Sequence, residues 1–295
     1  MTAQGILYLV ATPIGNLGDI SFRAVEVLKQ VDWIACEDTR HSQPLLHHYG
    51  IAGPLLAVHE HNEDERVAVL LKHLSAGESI ALVSDAGTPL INDPGYPLVR
   101  AAIAAGFRVV PIPGACALIT ALCASGLPTH RFRFEGFPPR KSAARVTLLE
   151  SIRYDPGTLV FYEASHRIKD FLGDLSRVFP GERPLVIARE LTKRFETLVR
   201  TTVETAPFLL DGDPNMQKGE FVIMIAGHPE AHPDEIRTRE TLRVLNLLLT
   251  ACSLKTAVDL TVQITGTRKD EVYREALRIK ANDTKRISGK SGDYC

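Results

Sequence analysis

The chain has 295 residues, of which 45% are hydrophobic and 23% are charged, and its formal net charge is -1 at pH 7. This composition is typical of a globular protein of about two domains and excludes a disordered or fibrous chain. A net charge near zero excludes a globally basic protein, so any contact with nucleic acid requires a local basic patch. The apolar run FVIMIA at residues 221–226 is far shorter than the roughly 20 residues of a membrane-spanning helix. Because the N-terminus also lacks the regions of a signal peptide, we expect a cytoplasmic protein without a membrane partner.

The first 125 residues alternate short β-branched runs with helical patterns, which predicts a mostly parallel sheet covered by helices. The predicted strands lie at residues 6–11, 33–36, 55–58, 80–83 and 109–112. Helical patterns follow the strands, for example at residues 19–30 and 63–76. Parallel strands require such crossover connections, so the chain is expected to begin with an α/β domain.

A second block of the sequence repeats the alternation of strands and helices and predicts a smaller domain. Its strands are expected to run in mixed directions. A segment rich in proline, glycine and basic residues, 126–142, separates the two blocks and marks a domain boundary. The predicted strands of the second block lie at residues 158–162, 185–189, 196–203 and 220–226.

Only helical periodicity continues beyond the second block. The predicted helices lie at residues 242–249, 254–264 and 270–279, and the last stretch has no apolar periodicity. The expected organisation is an N-terminal α/β domain at 1–125, a second α/β domain at 126–228, a helical region at 229–280 and a flexible tail at 281–295.

The turns that follow four predicted strands are rich in glycine, proline and polar residues. They are TPIGN at 12–16, EDTR at 37–40, SDAGTP at 84–89 and PIPG at 111–114. Ligands of open α/β sheets bind outside the carboxyl ends of the strands, and glycine lets bare backbone approach a flat cofactor. Any one of these turns could be purely structural, but four at one sheet edge favour a binding site. A dinucleotide site is disfavoured, because GNLG at 15–18 lacks the G-x-G-x-x-G spacing.

Several of these segments resemble the tetrapyrrole methylase superfamily, and within it the enzymes that methylate small-subunit ribosomal RNA. The resemblance is carried first by LYLVATPIGNL at 7–17, CEDTRH at 36–41, HEHNE at 59–63 and ALVSDAGTPLINDPGY at 81–96. Shorter matches follow in order: PIPG at 111–114, SGLP at 125–128, GFPP at 136–139, FYE at 161–163, ARELTK at 188–193 and KGE at 218–220. The matches extend over roughly residues 5–280, and their length and order make them specific.

The resemblance implies an α/β, two-domain tetrapyrrole-methylase-like fold of the class III methyltransferases with a small C-terminal helical appendage. It also implies a homodimer that uses S-adenosyl-L-methionine and methylates the ribose 2'-hydroxyl of a cytidine in the decoding region of 16S rRNA, within the small ribosomal subunit. Porphyrin-modifying members carry Gly-Asp-Pro after the fourth strand, whereas this chain has Thr88 between Gly87 and Pro89. The roles of that carboxylate therefore do not transfer to this chain.

Residues of the strand-end turns and of the second domain are the candidates for cofactor contacts. They are Pro13, Ala86, Gly87, Thr88, Ile91, Cys116, Ala117, Tyr162, Leu191 and Glu220. Methyl transfer to a hydroxyl also benefits from a base that accepts the proton, or from a cation that stabilises the developing alkoxide. We therefore predict catalytic roles for Asp85, Glu37 and Arg40, with Asp38 as a further candidate base. Helix capping is the alternative for the three acids, because acids are favoured at helix starts.

A local basic patch occurs between residues 131 and 145, where five basic residues are interleaved with phenylalanines and a single acid. The basic residues are Arg131, Arg133, Arg140, Lys141 and Arg145. Arginines can pair with phosphates and aromatic rings can stack on bases, so we predict RNA contacts in this patch and at Lys193. A solvated linker with buried phenylalanines is the alternative.

Histidine and cysteine give no strong indication of a metal site. The run HEH at 59–61 places two histidines on the same side of a predicted strand, which would suit a pair of metal ligands. We prefer a solvent-facing strand end or an RNA contact, because methyl transfer needs no metal. None of the five cysteines forms a C-x-x-C pair, so we expect neither a disulfide nor a zinc site.

Two other functions fit parts of this pattern. A methylase of tetrapyrroles or other small molecules would share the fold, but it would favour a closed apolar pocket over a basic rim. A non-enzymatic RNA-binding protein would keep the basic patch without needing the strand-end turns. The intact turns together with the patch favour an rRNA methyltransferase.

Overall fold

The computed structural model describes residues 5–59, 62–229 and 233–288. Its contacts divide the chain into two units, residues 1–228 and residues 229–295. The first unit contains two five-stranded sheets, and the second contains helices. No helix in the described part of the chain is both long and apolar enough to cross a membrane.

The first sheet consists of five parallel strands in the order β3-β2-β4-β1-β5. The strands are β1 (Ile6–Val10), β2 (Trp33–Cys36), β3 (Leu55–Ala57), β4 (Ile80–Val83) and β5 (Arg108–Ile112). They agree with the five predicted strands to within one residue at each end. Val10 is in register with Val83 of β4 and with Ile112 of β5, so these three strands end level with one another. The loops that follow them therefore leave the sheet at the same edge.

Four helices cover both faces of the first sheet, because alternate residues of a strand point to opposite faces. They are α1 (Phe22–Gln30), α2 (Thr39–His48), α3 (Glu63–Ser75) and α4 (Tyr96–Ala104). Residues of α1 and α2 pack with Val10 on one face, and residues of α3 and α4 pack with Leu7 on the other. Helix α1 begins later than the predicted residue 19, since Ser21 caps it by accepting a hydrogen bond from the Ala24 N–H at 3.1 Å.

The second sheet has the order β6-β7-β10-β8-β9 and mixed strand directions, as predicted. The strands are β6 (Phe132–Phe134), β7 (Thr158–Ala164), β8 (Pro184–Arg189), β9 (Thr197–Thr202) and β10 (Glu220–Ile225). Strand β6 runs parallel to β7, and the other pairs are antiparallel. Strand β6 was not predicted, because three residues among prolines, glycines and arginines are too few to show an alternating pattern.

Helices also cover both faces of the second sheet. Helices α6 (Ser142–Ile152), α7 (Ile168–Val178) and α8 (Ala206–Gly212) pack on one face, and α5 (Ala117–Ser125) packs on the other. Helix α5 precedes the predicted boundary at residue 125, yet its Leu118 and Leu122 pack against Val160 and Val186 of the second sheet. This helix thus follows a strand of the first sheet and covers the second.

The second unit contains helices α9 (Pro233–Ala251), α10 (Leu254–Thr265) and α11 (Lys269–Ser288), which agrees with the predicted helical region. Leu245, Val258 and Val272 form its buried core, one from each helix. Helix α11 continues eight residues past the predicted start of the flexible tail at 281. The tail was predicted from lost apolar periodicity, but residues 281–288 contain neither glycine nor proline to end a helix, and the first glycine comes at 289. Residues 289–295 lie outside the described residues.

Candidate active site

A cavity of about 340 Å³ lies between the strand-end loops of the first sheet and the second sheet. This volume is within the range of about 300–1,000 Å³ that is usual for small-molecule sites. The loop after β1 contributes Ile14, the loop after β4 contributes residues between 85 and 93, and the segment after β5 contributes Cys116 and Ala117. One wall of the cavity therefore consists of the three strand ends that are level with one another.

Three neighbouring strands of the second sheet form the opposite wall. Tyr162 of β7 is in register with Val222 of β10, and Val222 is in register with Ala188 of β8. Paired residues of antiparallel strands point to the same face, so this row lines the cavity together with Leu191 and Glu220. The Tyr162 hydroxyl also accepts a hydrogen bond from the Leu118 N–H at 3.0 Å, which fixes the start of α5 against this wall.

Nine of the ten residues predicted to contact a cofactor line this one cavity. They are Ala86, Gly87, Thr88, Ile91, Cys116, Ala117, Tyr162, Leu191 and Glu220. The exception is Pro13, which is buried beside the cavity-lining Ile14. Residues up to 134 positions apart in the chain are thus brought together, from Ala86 to Glu220. Their role as cofactor contacts stays a prediction.

Hydrogen bonds join the loop after β4 to the loops beside it. The Thr12 N–H donates to the Gly87 carbonyl at 2.9 Å, and the Gly87 N–H donates to the Thr12 carbonyl at 3.1 Å. The Ser84 hydroxyl donates to the same Gly87 carbonyl at 3.0 Å. The Thr88 hydroxyl donates to the Ala115 carbonyl at 3.0 Å. The cavity wall is therefore held by backbone and hydroxyl contacts rather than by flexible side chains.

Both walls contain non-glycine residues with left-handed backbone. They are Leu90 (φ 69°), Asn92 (φ 70°), Glu190 (φ 48°) and Thr192 (φ 66°), and they account for the positive φ angles of non-glycine residues in the described chain. The first pair flanks the cavity-lining Ile91, and the second pair flanks the cavity-lining Leu191. Such conformations cost about 1–3 kcal/mol each and cluster at functional sites. Their position on both sides of one cavity supports a binding role for it.

Asp85, a predicted catalytic residue, lines the cavity, but both of its carboxylate oxygens are engaged. Its Oδ1 accepts a hydrogen bond from the Asp38 N–H at 3.3 Å, and its Oδ2 lies 2.9 Å from His41 Nδ1. The hydrogen bond to Asp85 raises the pKa of the exposed His41 imidazole. Asp85 is therefore part of a small polar network at the edge of the cavity.

The other predicted catalytic residues, Glu37 and Arg40, do not line the cavity. Asp38 is the N-cap of α2 and accepts a hydrogen bond from the Arg40 N–H at 2.8 Å, which confirms helix capping for this acid. The Arg40 guanidinium is 88% exposed and lies 2.6 Å from the Asp38 carboxylate. Its hydrogen bonds lower the pKa of Asp38 to about 2. The placement supports no catalytic role for Arg40, because its charge faces Asp38 and the solvent.

Lys193, predicted to contact RNA, bridges two acids at the cavity instead. Its Nζ lies 2.9 Å from Glu190 Oε1 and 2.9 Å from Glu220 Oε2. Its stem crosses Gly15 so closely that a Cβ at that glycine would come within 2.5 Å of Lys193 Cγ. The charge of Lys193 is thus paired with Glu190 and Glu220. Its stem contacts Gly15, so Lys193 also connects the loop after β8 to the loop after β1.

The predicted basic patch separates into exposed and buried members. The exposed members are Arg131, Arg133, Arg140 and Lys141. Arg145 is only 3% exposed, and its Nε donates to Asp174 Oδ2 at 2.7 Å. Its Nη1 also donates to the carbonyls of Pro139 at 3.3 Å and Arg140 at 3.4 Å. The predicted RNA contact at Arg145 is therefore wrong, because its guanidinium is used inside the protein to hold the loop before α6.

The loop that carries Arg140 and Lys141 begins beside the cavity. Phe137 lines the cavity, and its ring lies edge-on to that of Tyr162 at a centroid distance of 5.8 Å. Arg167 donates a hydrogen bond to the Pro138 carbonyl. Arg140 and Lys141 follow Phe137 by three and four residues, so the two exposed cations lie a short distance along the chain from the cavity wall.

Several cavity residues were missed by the sequence analysis. They are Ile14, Asn92, Asp93, Phe137, Glu163, Ala164, Ala188, Phe221 and Val222. The first five and Ala188 lie inside segments that carry the resemblance. The resemblance indicated these segments, but it gave no reason to choose these residues over their sequence neighbours as cavity contacts. Asp93 and Glu163 matter most, because each is an acid with one carboxylate oxygen that is buried away from water.

The described residues give no indication of a metal site. Within 5–59, 62–229 and 233–288, no group of three or more His, Cys, Asp or Glu side chains could hold a metal ion. Two members of the HEH run, Glu60 and His61, lie outside the described residues.

Comparison with known proteins places this chain among methyltransferases. Residues 6–207 match the family described as Tetrapyrrole (Corrin/Porphyrin) Methylases, and residues 236–280 match the RsmI C-terminal HTH domain. The Ribosomal RNA small subunit methyltransferase I of Pseudomonas aeruginosa is 52% identical over 276 residues, which are 94% of this chain and 98% of the relative. The protein of the same name from Escherichia coli O157:H7 is 50% identical over 275 residues, 93% of this chain and 96% of the relative.

Solved structures share the fold at lower identity. The uroporphyrin-III-C-methyltransferase of Thermus thermophilus has a TM-score of 0.53 and 24% identity, covering 77% of this chain and 96% of its own. Its complex with S-adenosylhomocysteine has a TM-score of 0.51 and 21% identity, covering 75% and 97%. The long matches at about 50% identity and the family match over most of the first unit agree with the architecture. This chain therefore belongs to the tetrapyrrole methylase family and, within it, to the group of ribosomal RNA small subunit methyltransferases I.

Proposed function

We propose that this protein transfers a methyl group from S-adenosyl-L-methionine to the ribose 2'-hydroxyl of a cytidine in the decoding region of 16S rRNA. The names of the relatives at about 50% identity support methylation of small-subunit rRNA. The observation that carries the proposal is the cavity that the strand-end loops of the first sheet share with β7, β8 and β10. The proposal includes a cytoplasmic homodimer, as the resemblance implies.

The cavity wall has the chemistry that S-adenosyl-L-methionine requires. Ile14, Ile91 and Leu191 offer apolar surface for a flat ring. Among the described residues, Oδ2 of Asp93 and Oε2 of Glu163 are buried without a hydrogen-bond partner, so the cavity presents acceptors for a cationic ligand with N–H and O–H donors. The complex of the Thermus thermophilus enzyme with S-adenosylhomocysteine supports the same choice. When bound, the cofactor supplies a methyl group on a positively charged sulfur.

The contribution of the chain to methyl transfer is then mainly alignment. The loops around Gly87 and Leu191 are held by hydrogen bonds and by left-handed backbone, so they need little reordering when a ligand binds. Holding two reactants in line can contribute about 7–11 kcal/mol to lowering a barrier. Arg140 and Lys141, exposed near the cavity, would position RNA through its phosphates rather than through base identity.

The test of this function is to incubate the protein with S-adenosyl-L-methionine labelled in its methyl group and with 30S particles that lack the modification. Mass mapping of the RNA should then place the label on the ribose of one cytidine in the decoding region. A label on a base, or on a residue outside that region, would contradict the proposed site. Labelling of a porphyrin precursor but not of the particles would favour the small-molecule alternative.

Reversing two exposed charges should separate RNA binding from cofactor binding. We expect the double variant Arg140→Glu and Lys141→Glu to bind rRNA about 10–100-fold more weakly, because two phosphate contacts become repulsive. The dependence of log Kd on log salt should also become shallower by about 2, one for each lost contact. Affinity for S-adenosyl-L-methionine, measured by calorimetry, should not change, since neither residue lines the cavity.

The matched control reverses two exposed lysines on helices of the first sheet, Lys29→Glu and Lys72→Glu. This control has the same net charge as the double variant, so it accounts for long-range electrostatics. Equal RNA affinity in the two variants would rule out a local role for Arg140 and Lys141.

A further inference from the structure

Four carboxylates line the cavity, and they differ in how far their oxygens are already used. They are Asp85, Asp93, Glu163 and Glu220. Both oxygens of Asp85 are engaged, by the Asp38 N–H and by His41. The Glu220 carboxylate is 79% exposed and pairs with Lys193 at 2.9 Å. Asp85 and Glu220 are therefore poorly suited to accept a proton from a substrate inside the cavity.

Asp93 and Glu163 remain, and each has one buried oxygen without a hydrogen-bond partner among the described residues. Glu163 is surrounded by cations. Burial raises the pKa of Glu163, but the Ala164 N–H, which donates to its Oε1 at 2.9 Å, partly offsets the rise, as do the charges of Arg167, Arg145 and His166. The nearest of these cations is Arg167, whose Nε lies 3.1 Å from Oε1. These cations weaken Glu163 as a proton acceptor, so it is better suited to receive hydrogen bonds from a bound ligand.

The charged groups that act on Asp93 are negative, whereas those that act on Glu163 are positive. Asp93 follows β4 in the left-handed turn at Asn92, and the charged groups that act on it are the acids Glu37 and Asp85. Asp93 also acts on Tyr162, whose own pKa is raised mainly by burial. A carboxylate that is withdrawn from water and faces two other acids gains proton affinity.

We propose that Asp93 is the general base of the reaction, its carboxylate accepting the proton of the attacking hydroxyl. The inference rests on the proposed function, because it assumes that the acceptor is a hydroxyl. In the step, the hydroxyl oxygen forms a bond to the methyl carbon, and the carbon–sulfur bond breaks with its electron pair left on sulfur. The hydroxyl proton goes to Asp93, which releases it to water after the products leave.

The acidity of Asp93 fits this role near neutral pH. Burial, together with the charge of Glu37 and then of Asp85, raises the pKa of Asp93 to about 6, although Ser84 partly offsets the rise. A general base is most effective when its pKa lies close to the working pH. Because the base must be ionised, kcat/KM should rise about tenfold per pH unit below pH 6 and level off above it.

The experiment compares the wild-type protein with Asp93→Asn, a substitution of nearly the same shape. We expect the rate of rRNA methylation to fall about 10²–10⁴-fold, and the rise through pH 6 to disappear. The Kd of S-adenosyl-L-methionine, measured by calorimetry, should change less than about threefold. Glu163→Gln is the matched control, since it neutralises the other buried acid but should keep the rise through pH 6.

A readout that does not depend on activity is the carbon-13 NMR titration of the Asp93 carboxyl in the cofactor-free protein. A titration step near pH 6, absent from Asp93→Asn, is expected. Thermal unfolding gives a second check. Since the pKa in the folded state is raised, stability should fall as pH rises from about 4 to 6. The Tm of Asp93→Asn relative to the wild type should therefore increase over this range and stay constant above pH 6.

Three outcomes would overturn the inference. In the first, Asp93→Asn keeps most of the methylation activity and the wild-type pH profile. In the second, Asp93→Asn loses affinity for the cofactor in proportion to its loss of activity, which would make Asp93 a cofactor ligand. A titration step below pH 4.5 in the NMR experiment would show that the carboxyl is an ordinary acid. These outcomes differ from a failure of the proposed function, in which the wild-type protein itself would not methylate rRNA.

Discussion

Gly87→Ala is expected to weaken the binding of S-adenosyl-L-methionine about 10–100-fold. Gly87 lines the cavity with a φ of +89°, a conformation that costs an alanine about 1–2 kcal/mol. A Cβ at this position would lie 3.1 Å from Ile14 Cγ2, which is itself a cavity residue. Because Gly87 forms two backbone hydrogen bonds with Thr12, the loop cannot relax without moving the wall of the cavity. Calorimetric titration with the cofactor measures the effect.

The matched control for this prediction is Gly106→Ala. Gly106 has a similar φ of +80°, but a Cβ there would meet nothing within 4 Å, and the residue does not line the cavity. We expect both variants to lose about 1–2 kcal/mol of folding stability from backbone strain, and only Gly87→Ala to lose cofactor affinity. An unchanged Kd in Gly87→Ala would show that the loop after β4 does not contact the cofactor.

Arg145→Met is expected to lower the free energy of unfolding by about 3–5 kcal/mol. The substitution leaves the Asp174 carboxylate, 3% exposed, without its buried cation, and it also removes the donor that holds the Pro139 and Arg140 carbonyls. The large effect comes from a buried carboxylate whose Oδ2 loses its cation, while the exposed Arg177 still pairs with Oδ1, rather than from the strength of the ion pair itself. Denaturant unfolding, with a shift of the midpoint at constant m-value, measures it.

Two further variants define the cause of this destabilisation. Arg177 also pairs with Asp174, at 2.9 Å, but it is 71% exposed, so Arg177→Ala should cost less than about 1 kcal/mol. Adding Asp174→Leu to Arg145→Met should recover much of the loss, because no buried charge is then left unpaired. If Arg145→Met instead reduced RNA affinity without changing the unfolding midpoint, the RNA contact predicted from the sequence would be reinstated.

Much of the cavity wall was predictable because its residues are determined locally. TPIGN and SDAGTP follow short β-branched strands, and their glycines and prolines mark tight turns whatever the rest of the chain does. Parallel strands joined by helices have their carboxyl ends at one sheet edge, so the turns could be assigned to one site before any contact was known. Six of the nine predicted residues that line the cavity follow β4 or β5 and are explained in this way. Tyr162, Leu191 and Glu220 belong to the second sheet and its loops, so the edge of the first sheet does not account for them.

The basic patch and the catalytic acids were less predictable because burial is not a local property. Five basic residues close in sequence look alike, yet only Arg145 meets Asp174, 29 residues away, and becomes part of the interior. Arg40 looked like a cation for the alkoxide, but its helix places it over Asp38 and in the solvent. Strand β6, which lies within the basic patch, was not predicted because three residues are too few to show an alternating pattern.

The sequence by itself determined the alternation of strands and helices, the turns at the strand ends and the family. These depend on backbone preferences and apolar periodicity within a few residues of each position. Only the tertiary structure decided which charges are desolvated, that α5 covers the second sheet, and that Asp93 lines the cavity where the charges of Glu37 and Asp85 raise its pKa. The physical reason is that desolvation and charge coupling depend on groups that are distant in the chain and meet only after it has folded.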